Sequence, residues 1–303
     1  MKSATLRSDS LLLLTSLIWG FAFVAQRAGM EYVGPFIFNG IRFALGAMVI
    51  IPVIWLSRKH ALPSGADRRR ESRYLLRGGL LLGLVLFAGA TFQQYGMVYT
   101  TAGNAGFITG LYVVFVPLLG MLRRQYPHFT IWIAALLAVA GMYFLSVQEG
   151  FRIFTGDLLV LAGAVFWAVH LLIIGVLSPR VNSLKLAFIQ YVVCAVLSTV
   201  TAVFTETIST GSILDASIPI LYGGVLSVGI AYTLQVIAQK KAPPAHAAII
   251  LSLEAVFAAI GGWMLLNESL GTRELAGCAL MFAGIILAQY CSLRKGKCSG
   301  SGI

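Results

Sequence analysis

The chain has 303 residues, of which 58% are hydrophobic and 11% charged, with a formal net charge of +11 and a mean hydropathy of +0.87. A soluble domain needs roughly a quarter of its residues charged to solvate its surface, so this composition excludes one and makes lipid the natural solvent. At about 20 residues per helical span, ten spans with tails and short loops use up the chain and leave no room for an extramembrane domain of any size.

In chain order, the apolar stretches predict an all-α polytopic membrane protein of ten transmembrane helices. The first, 10–26, follows Lys2 and Arg7 and has the outline of a signal peptide. Trp19 and Gln26 inside it, no good small-x-small cleavage site, and a repeat partner later in the chain make it a retained helix. Trp19, Phe23 and Gln26 fall at i, i+4 and i+7 and share one face. The second helix, 35–56, carries Arg42 about two turns in. Its guanidinium either pairs with a carboxylate of protein or substrate, or snorkels to an interface roughly 10 Å away.

The third helix, 75–97, brings Gln93 and Gln94, with Tyr99 just beyond it. The fourth, 103–122, carries Gly103, Gly106 and Gly110, and the fifth, 129–147, carries Ala134, Ala138 and Gly141. Trp167 and His170 share a face of the sixth, 156–177, and Gln190 and Tyr191 lie in the seventh, 184–204. The eighth, 217–238, aligns Tyr232 and Gln235 with Gln239 on one face. The ninth, 245–266, holds Glu254 about nine residues in, beside Ala255, Ala258, Ala259 and Gly262. The tenth, 272–292, has Gly277, Ala283 and Gly284. Small residues three or four apart predict close helix approach, as static packing or as a gating surface. Connections as short as Thr100 to Ala102 and Ala242 to Pro244 make neighbouring helices antiparallel.

Charge placement orients the bundle. Eighteen Lys and Arg fall in the two tails and the 2–3, 4–5, 6–7 and 8–9 loops, against Arg27, Arg152 and Arg273 on the other side. Cytoplasmic loops carry such an excess, so both termini are expected in the cytoplasm. The net charge then serves topology, and no nucleic-acid partner is expected. The basic 2–3 loop also suits contact with anionic lipid, although topology alone accounts for it. Cys194, Cys278, Cys291 and Cys298 form no CxxC pair and read as small hydrophobes. His60, His128, His170 and His246 are scattered, so no metal site is indicated and no cofactor is expected.

The second half repeats the first. Asp9 to Trp19 and Asp157 to Trp167 match at an offset of 148, as do Ile41-Arg42-Phe43 and Ile189-Gln190-Tyr191. Gly78-Gly79 matches Gly223-Gly224 at 145, and Met121-Leu122 and Ala140-Gly141 match Met264-Leu265 and Ala283-Gly284 at 143. Two five-helix repeats follow, 1–152 and 153–303. Five is odd, so the second enters the membrane from the opposite side. Inverted repeats of this kind suit a secondary transporter, whose halves exchange conformations around a midplane site.

The run Leu253-Glu254-Ala255-Val256-Phe257-Ala258-Ala259, followed by Asn267-Glu268, Gly277 and Ala283-Gly284, resembles the closing helices of EamA-type members of the drug/metabolite transporter superfamily. Trp19-Gly20 and Arg42-Phe43 are also similar to that family's pattern, and the resemblance covers the whole chain. Ala255 and Asn267 depart from it, standing where proline and glycine are usual. Within the family the chain looks most like bacterial amino-acid exporters of the YddG type. That resemblance implies efflux of amino acids, aromatic and neutral ones included, and related metabolites across the bacterial inner membrane.

Intramembrane polar residues are functional candidates by default. Glu254 either binds a substrate ammonium, takes up a proton to couple transport, or makes a structural hydrogen bond. Trp19, Phe23, Trp167 and His170 suit the wall of an adaptable aromatic cavity, or lipid and core packing. Gln94, Tyr99, Gln190, Tyr232 and Gln235 offer neutral hydrogen bonds to a zwitterion or to neighbouring helices. The expected function is alternating-access export of a small molecule by a monomer in the bilayer, with a homodimer as the alternative. No GxxxxGK[ST] motif is present, so a gradient supplies the energy. The alternative function is a multidrug exporter of lipophilic cations, trapped by Glu254 and the tryptophans. A channel lacks a visible filter, and an enzyme lacks a nucleophile–base pair in the spans.

Overall fold

The structure is a computed structural model and describes residues 2–57, 66–100, 102–122, 124, 126–146, 155–266 and 271–293. These residues are helical with no strand. The helices are α1 (Lys2–Gly29), α2 (Pro35–Leu56), α3 (Ala66–Gly96), α4 (Ala102–Gly110), α5 (Tyr112–Leu122), α6 (Phe129–Ser146) and α7 (Thr155–Leu177). They continue with α8 (Ser183–Thr205), the short α9 (Thr210–Asp215) and α10 (Ser217–Leu221), a π-helical segment (Tyr222–Tyr232), and α11 (Thr233–Ala238). The last are α12 (Pro244–Leu251), α13 (Glu254–Leu266) and α14 (Thr272–Leu293). Among the described residues, eight helical stretches are long and apolar enough to cross a membrane, and Phe129–Phe144 is a shorter apolar helix.

The distribution of polarity suits lipid outside. Leu122, Phe204 and Ile218 are 81%, 83% and 79% exposed, whereas Arg42, Gln94, His170 and Glu254 are buried. The protein is a multi-pass membrane protein whose polar groups are hidden from the hydrocarbon. Cys194 is a free buried thiol and Cys278 a free half-buried one. Asn267 and Glu268 lie outside the described residues.

Three stretches expected as continuous helices are interrupted. The 103–122 stretch breaks at Leu111 between α4 and α5, where Leu111 N–H reaches only to the Ile108 carbonyl and the Phe115 and Val114 amides share the Leu111 carbonyl. The 245–266 stretch breaks at Ser252 and Leu253 between α12 and α13. There Leu253 N–H bonds the Ile250 carbonyl, and the Ser252 hydroxyl takes the Ile249 carbonyl at 2.8 Å. Such tightened i to i+3 turns change the helix register. The 217–238 stretch widens into the π segment, which lies tight on α2. A Cβ at Gly224 would stand 2.6 Å from Leu45 Cβ, and one at Gly229 would stand 2.8 Å from Val49 Cγ1. π turns are rare and concentrate at functional sites.

The elements pack in a reciprocal pattern. α3 lies on α7 as α1 lies on the π segment, α3 lies on α8 as α2 lies on the π segment, and α4 and α5 lie on α7 as α12 and α13 lie on α1. α2 also packs on α8, α5 on α12, and α6 extensively on α14. The α6–α14 contact is close because small residues meet backbone: a Cβ at Gly284 would lie 2.8 Å from the Ala134 carbonyl. Gly106, by contrast, has nothing within 4 Å of a built Cβ, so it serves no helix contact.

One cap ties the start of α2 to the end of α8. Pro35 opens α2 at a position where its missing N–H costs nothing. The next amides, Phe36 N–H and Ile37 N–H, donate to the two oxygens of Glu206 at 2.9 and 2.8 Å. Glu206 lies just past α8, and its negative charge faces the positive end of α2. Glu206→Ala is expected to destabilise the protein by ~1–2 kcal/mol, read as a lower Tm of the purified protein. An unchanged Tm would contradict this role.

Candidate functional site

The π segment, the two helix interruptions, α1, α2, α3 and α7 converge on one cavity of about 480 Å³, open solvent at its mouth included. The first helix supplies Trp19, Phe23 and Gln26, all lining it as their spacing on one face requires. Trp167 and Leu171, which stand 148 residues after Trp19 and Phe23, line it as well. Each indole is held by a segment distant in the chain. Trp19 Nε1–H donates to the Ser227 carbonyl at 3.3 Å, and Trp167 Nε1–H donates to Gln93 Oε1 at 2.7 Å. Gln93 in turn donates to Gln26 Oε1 at 3.4 Å.

Tyr232 stands at the centre of an aromatic wall. Its ring lies 4.5 Å from that of Trp19, 6.0 Å from Trp167 and 6.3 Å from His170. Behind it, Phe43 and Tyr191 approach at 6.0 and 6.4 Å. His170 Nε2 is paired with Gln190 Oε1 at 2.8 Å, so Gln190 orients His170 from behind and does not itself line the cavity. Gln235 lines the cavity and donates to Gln239 at 3.3 Å, and Gln239 donates to the Leu171 carbonyl.

Two ionisable groups enter the same space. Arg42 is 2% exposed and Glu254 is 3% exposed, and both line the cavity. The Arg42 guanidinium sits 5.4 and 5.0 Å from the ring centroids of Phe38 and Phe43, a cation–π placement. Its Nε has no hydrogen-bond partner, and neither has Glu254 Oε1. The ion pair among the described residues joins Asp9 to His246, so Arg42 and Glu254 do not neutralise one another. Tyr232 is within electrostatic reach of both. Of the two placements the sequence leaves open for Arg42, its guanidinium is buried in the cavity wall.

The remaining candidates lie elsewhere. Gln94 is buried beside the cavity and donates to the Gln26 carbonyl at 3.4 Å. Tyr99 lies past the end of α3, 52% exposed, with its ring 6.0 Å from that of Tyr95. Thr109 and Tyr112 line the cavity without having been singled out from the sequence, as do Ser227 and Leu251. A signal for the first two exists: at the offset of 143, Glu254 corresponds to Leu111, which they straddle. Among the described residues no group of His, Cys, Asp and Glu is placed to hold a metal.

Comparison with known proteins gives the same picture of the chain as a whole. Residues 6–147 and 154–290 match the model of the EamA-like transporter family. An uncharacterized transporter of Archaeoglobus fulgidus is 34% identical over 294 residues, 94% of this chain and 86% of the relative. The uncharacterized transporter YoaV of Bacillus subtilis is 22% identical over 92% of this chain and 96% of its own length. A solved crystal structure with 20% sequence identity superposes with a TM-score of 0.76, covering 97% of this chain and 99% of that one, a likeness of fold.

Proposed function

We propose a cargo and a working cycle for this chain, which belongs to the EamA-like transporter family: it is a secondary transporter that exports amino acids, aromatic and neutral ones among them, by alternating access. The observation that carries the cargo is Arg42 and Glu254 in one cavity with no ion pair between them, Arg42 Nε and Glu254 Oε1 both lacking a hydrogen-bond partner. A buried charge without a partner is costly, and a ligand that supplies the partner removes the cost. A zwitterion supplies both, its carboxylate to Arg42 and its ammonium to Glu254, and Trp19, Trp167 and Tyr232 offer their faces to an apolar or aromatic side chain. The outward direction and the likeness to YddG-type exporters rest on the sequence resemblance. The second reading, a lipophilic-cation exporter, uses Glu254 and the aromatic wall but sets the Arg42 charge against its own substrate.

The working cycle draws on two five-helix repeats, 1–152 and 153–303, inverted with respect to each other and arranged as ten spans with both termini in the cytoplasm of a bacterial inner membrane. The paired family match and the reciprocal packing support this arrangement. So do the interruptions, which fall at corresponding positions of the two halves beside the cavity. In this reading one chain walls the cavity and acts as a monomer.

The two ends of the bundle are tied in the same relation. Asp9 at the start of the first apolar span bonds His246 at the start of α12 at 2.9 Å. Its counterpart Asp157, at the start of α7, accepts from Thr100, just ahead of α4. Asp9→Asn and Asp157→Asn are expected to bias the carrier in opposite directions. The readout is labelling, from each side of the membrane, of a cysteine placed in the cavity. Shifts in the same direction would contradict the exchange.

The cargo is tested by thermal stabilisation of the purified protein with a panel of amino acids and of quaternary ammonium compounds, since a ligand that binds the folded state raises Tm. Stabilisation by amino acids is expected. Stabilisation by the quaternary cations alone would overturn the reading in favour of the second.

A further inference from the structure

The two interrupted helices meet. α13 packs against α4 and α12 against α5. Thr109 and Tyr112 therefore flank the break at Leu111, Leu251 and Glu254 flank the break at Ser252 and Leu253, and all four line the cavity. Thr109, Tyr112 and Glu254 are 4%, 3% and 3% exposed. Thr109 Oγ1 and Glu254 Oε1 have no hydrogen-bond partner, and the Tyr112 hydroxyl is turned to the Glu254 carboxylate as a donor, so its oxygen keeps its capacity to accept. Gln235 Oε1 is likewise unpartnered, while its amide nitrogen is taken by Gln239.

Most of the cavity's side-chain nitrogens already hold a protein oxygen. Both indole N–H groups, the Gln93 amide and the Gln235 amide bond to protein oxygens, and His170 Nε2 is paired with Gln190. Arg42 is the exception, and it lies with Phe38 and Phe43. Oxygens are what the region around the interruptions has left. A carboxylate with neutral oxygens beside it matches a group with several donors and a positive charge, which a primary ammonium is, with three N–H and no acceptor. A quaternary cation brings no donor and would leave these oxygens unpaired.

We infer that the oxygens of Thr109, Tyr112, Gln235 and Glu254 form a subsite for a primary ammonium, so that the transporter requires a protonated, unsubstituted amine on its substrate. The inference rests on the reading of the cavity as an amino-acid site and adds the groups that make the amine obligatory. Glu254 supplies a charge that a hydroxyl cannot match, and Thr109, Tyr112 and Gln235 accept further N–H donors, of which an ammonium has three where a hydroxyl has one O–H. A site built to bond a polar group rejects analogues lacking it far more strongly than an apolar pocket rejects a changed shape.

The test uses the purified full-length protein and three probes: L-phenylalanine, 3-phenyllactate, in which a hydroxyl replaces the amine, and phenethylamine, which lacks the carboxylate. Affinities are measured by calorimetry for the wild type and for Thr109→Val, Tyr112→Phe and Glu254→Gln, each nearly isosteric and checked for an unchanged Tm. The wild type is expected to bind phenylalanine at least about tenfold more tightly than phenyllactate, Glu254→Gln to lose about tenfold for phenylalanine and phenethylamine but not for phenyllactate, and Thr109→Val and Tyr112→Phe to lose more for the two amines than for phenyllactate. Phenylalanine binding with an amine-to-hydroxyl ratio that the variants do not change overturns the subsite and leaves the amino-acid reading standing. If no amino acid binds, the amino-acid reading fails, and phenethylamine decides the subsite: binding that weakens in the variants upholds it, and any other result overturns it. The titrations are repeated in sodium, potassium and N-methylglucamine. Probe binding that requires sodium and ignores the amine assigns these oxygens to an alkali cation and overturns the proposal.

Discussion

Arg42→Met is expected to lower transport kcat/KM by about 100-fold or more while leaving the protein as stable as before, or more so. Both halves of this expectation come from one fact: the guanidinium is 2% exposed and its Nε is unpaired. Removing a charge that a ligand carboxylate would pair leaves that carboxylate buried without a partner, which is the expensive outcome. Removing it from the empty protein relieves desolvation, and methionine fills much of the volume against Phe38 and Phe43. A structural role would give the opposite pattern, with stability lost first and transport following it. Arg42→Lys keeps the charge but not the planar fork, so it is expected to fall between wild type and Arg42→Met. Measured uptake and Tm together separate these outcomes, and an Arg42→Met protein that transports normally contradicts the role given to Arg42.

Gly20→Ala is expected to be among the most damaging single-atom additions. A Cβ at Gly20 would stand 2.7 Å from the Glu254 carbonyl and 2.8 Å from Ala258 N, and would also meet Phe257 Cβ. Two of these neighbours are backbone atoms of α13, which cannot rotate away, so α1 and α13 must separate. The expected cost is ~1–3 kcal/mol, with Glu254 displaced and transport reduced. Gly106→Ala is the control. Nothing lies within 4 Å of its built Cβ, so the change is expected to leave stability equal or up to about 1 kcal/mol higher, through helix propensity alone. The comparison is a pair of Tm values on purified protein, and equal losses at the two glycines would contradict the packing described.

Much of this arrangement is legible in the sequence because each span is a long apolar run and residues such as Trp19 and Trp167 recur at a fixed offset. The spacing of Trp19, Phe23 and Gln26 already names one helix face, and the offset of 148 already pairs Trp19 with Trp167. What escapes is phase. Gln93 and Gln94 are adjacent and about 100° apart around the helix, and only tertiary packing sends Gln93 to the cavity and Gln94 to the Gln26 carbonyl. Tyr99 escapes for another reason: α3 ends at Gly96, so the helical phase does not extend to it.

The interruptions are equally hidden. Neither Leu111 nor Ser252 with Leu253 is a residue that breaks helices by itself, and Pro117 lies well past the first break. Breaks of this kind are stabilised by neighbours, here the facing half-helices and the Ser252 bond to Ile249. Thr109 and Tyr112 consequently look like ordinary polar residues on an apolar helix until the break turns them to the cavity.

The central claim is that Arg42 and Glu254 hold the two ends of a transported amino acid. Its most direct test is uptake of labelled aromatic and aliphatic amino acids into liposomes containing the purified protein, with no imposed ion gradient and excess unlabelled competitor. Saturable uptake that the competitor removes and that Arg42→Met abolishes is the predicted result. No uptake of any amino acid, with or without a proton gradient, would contradict the account.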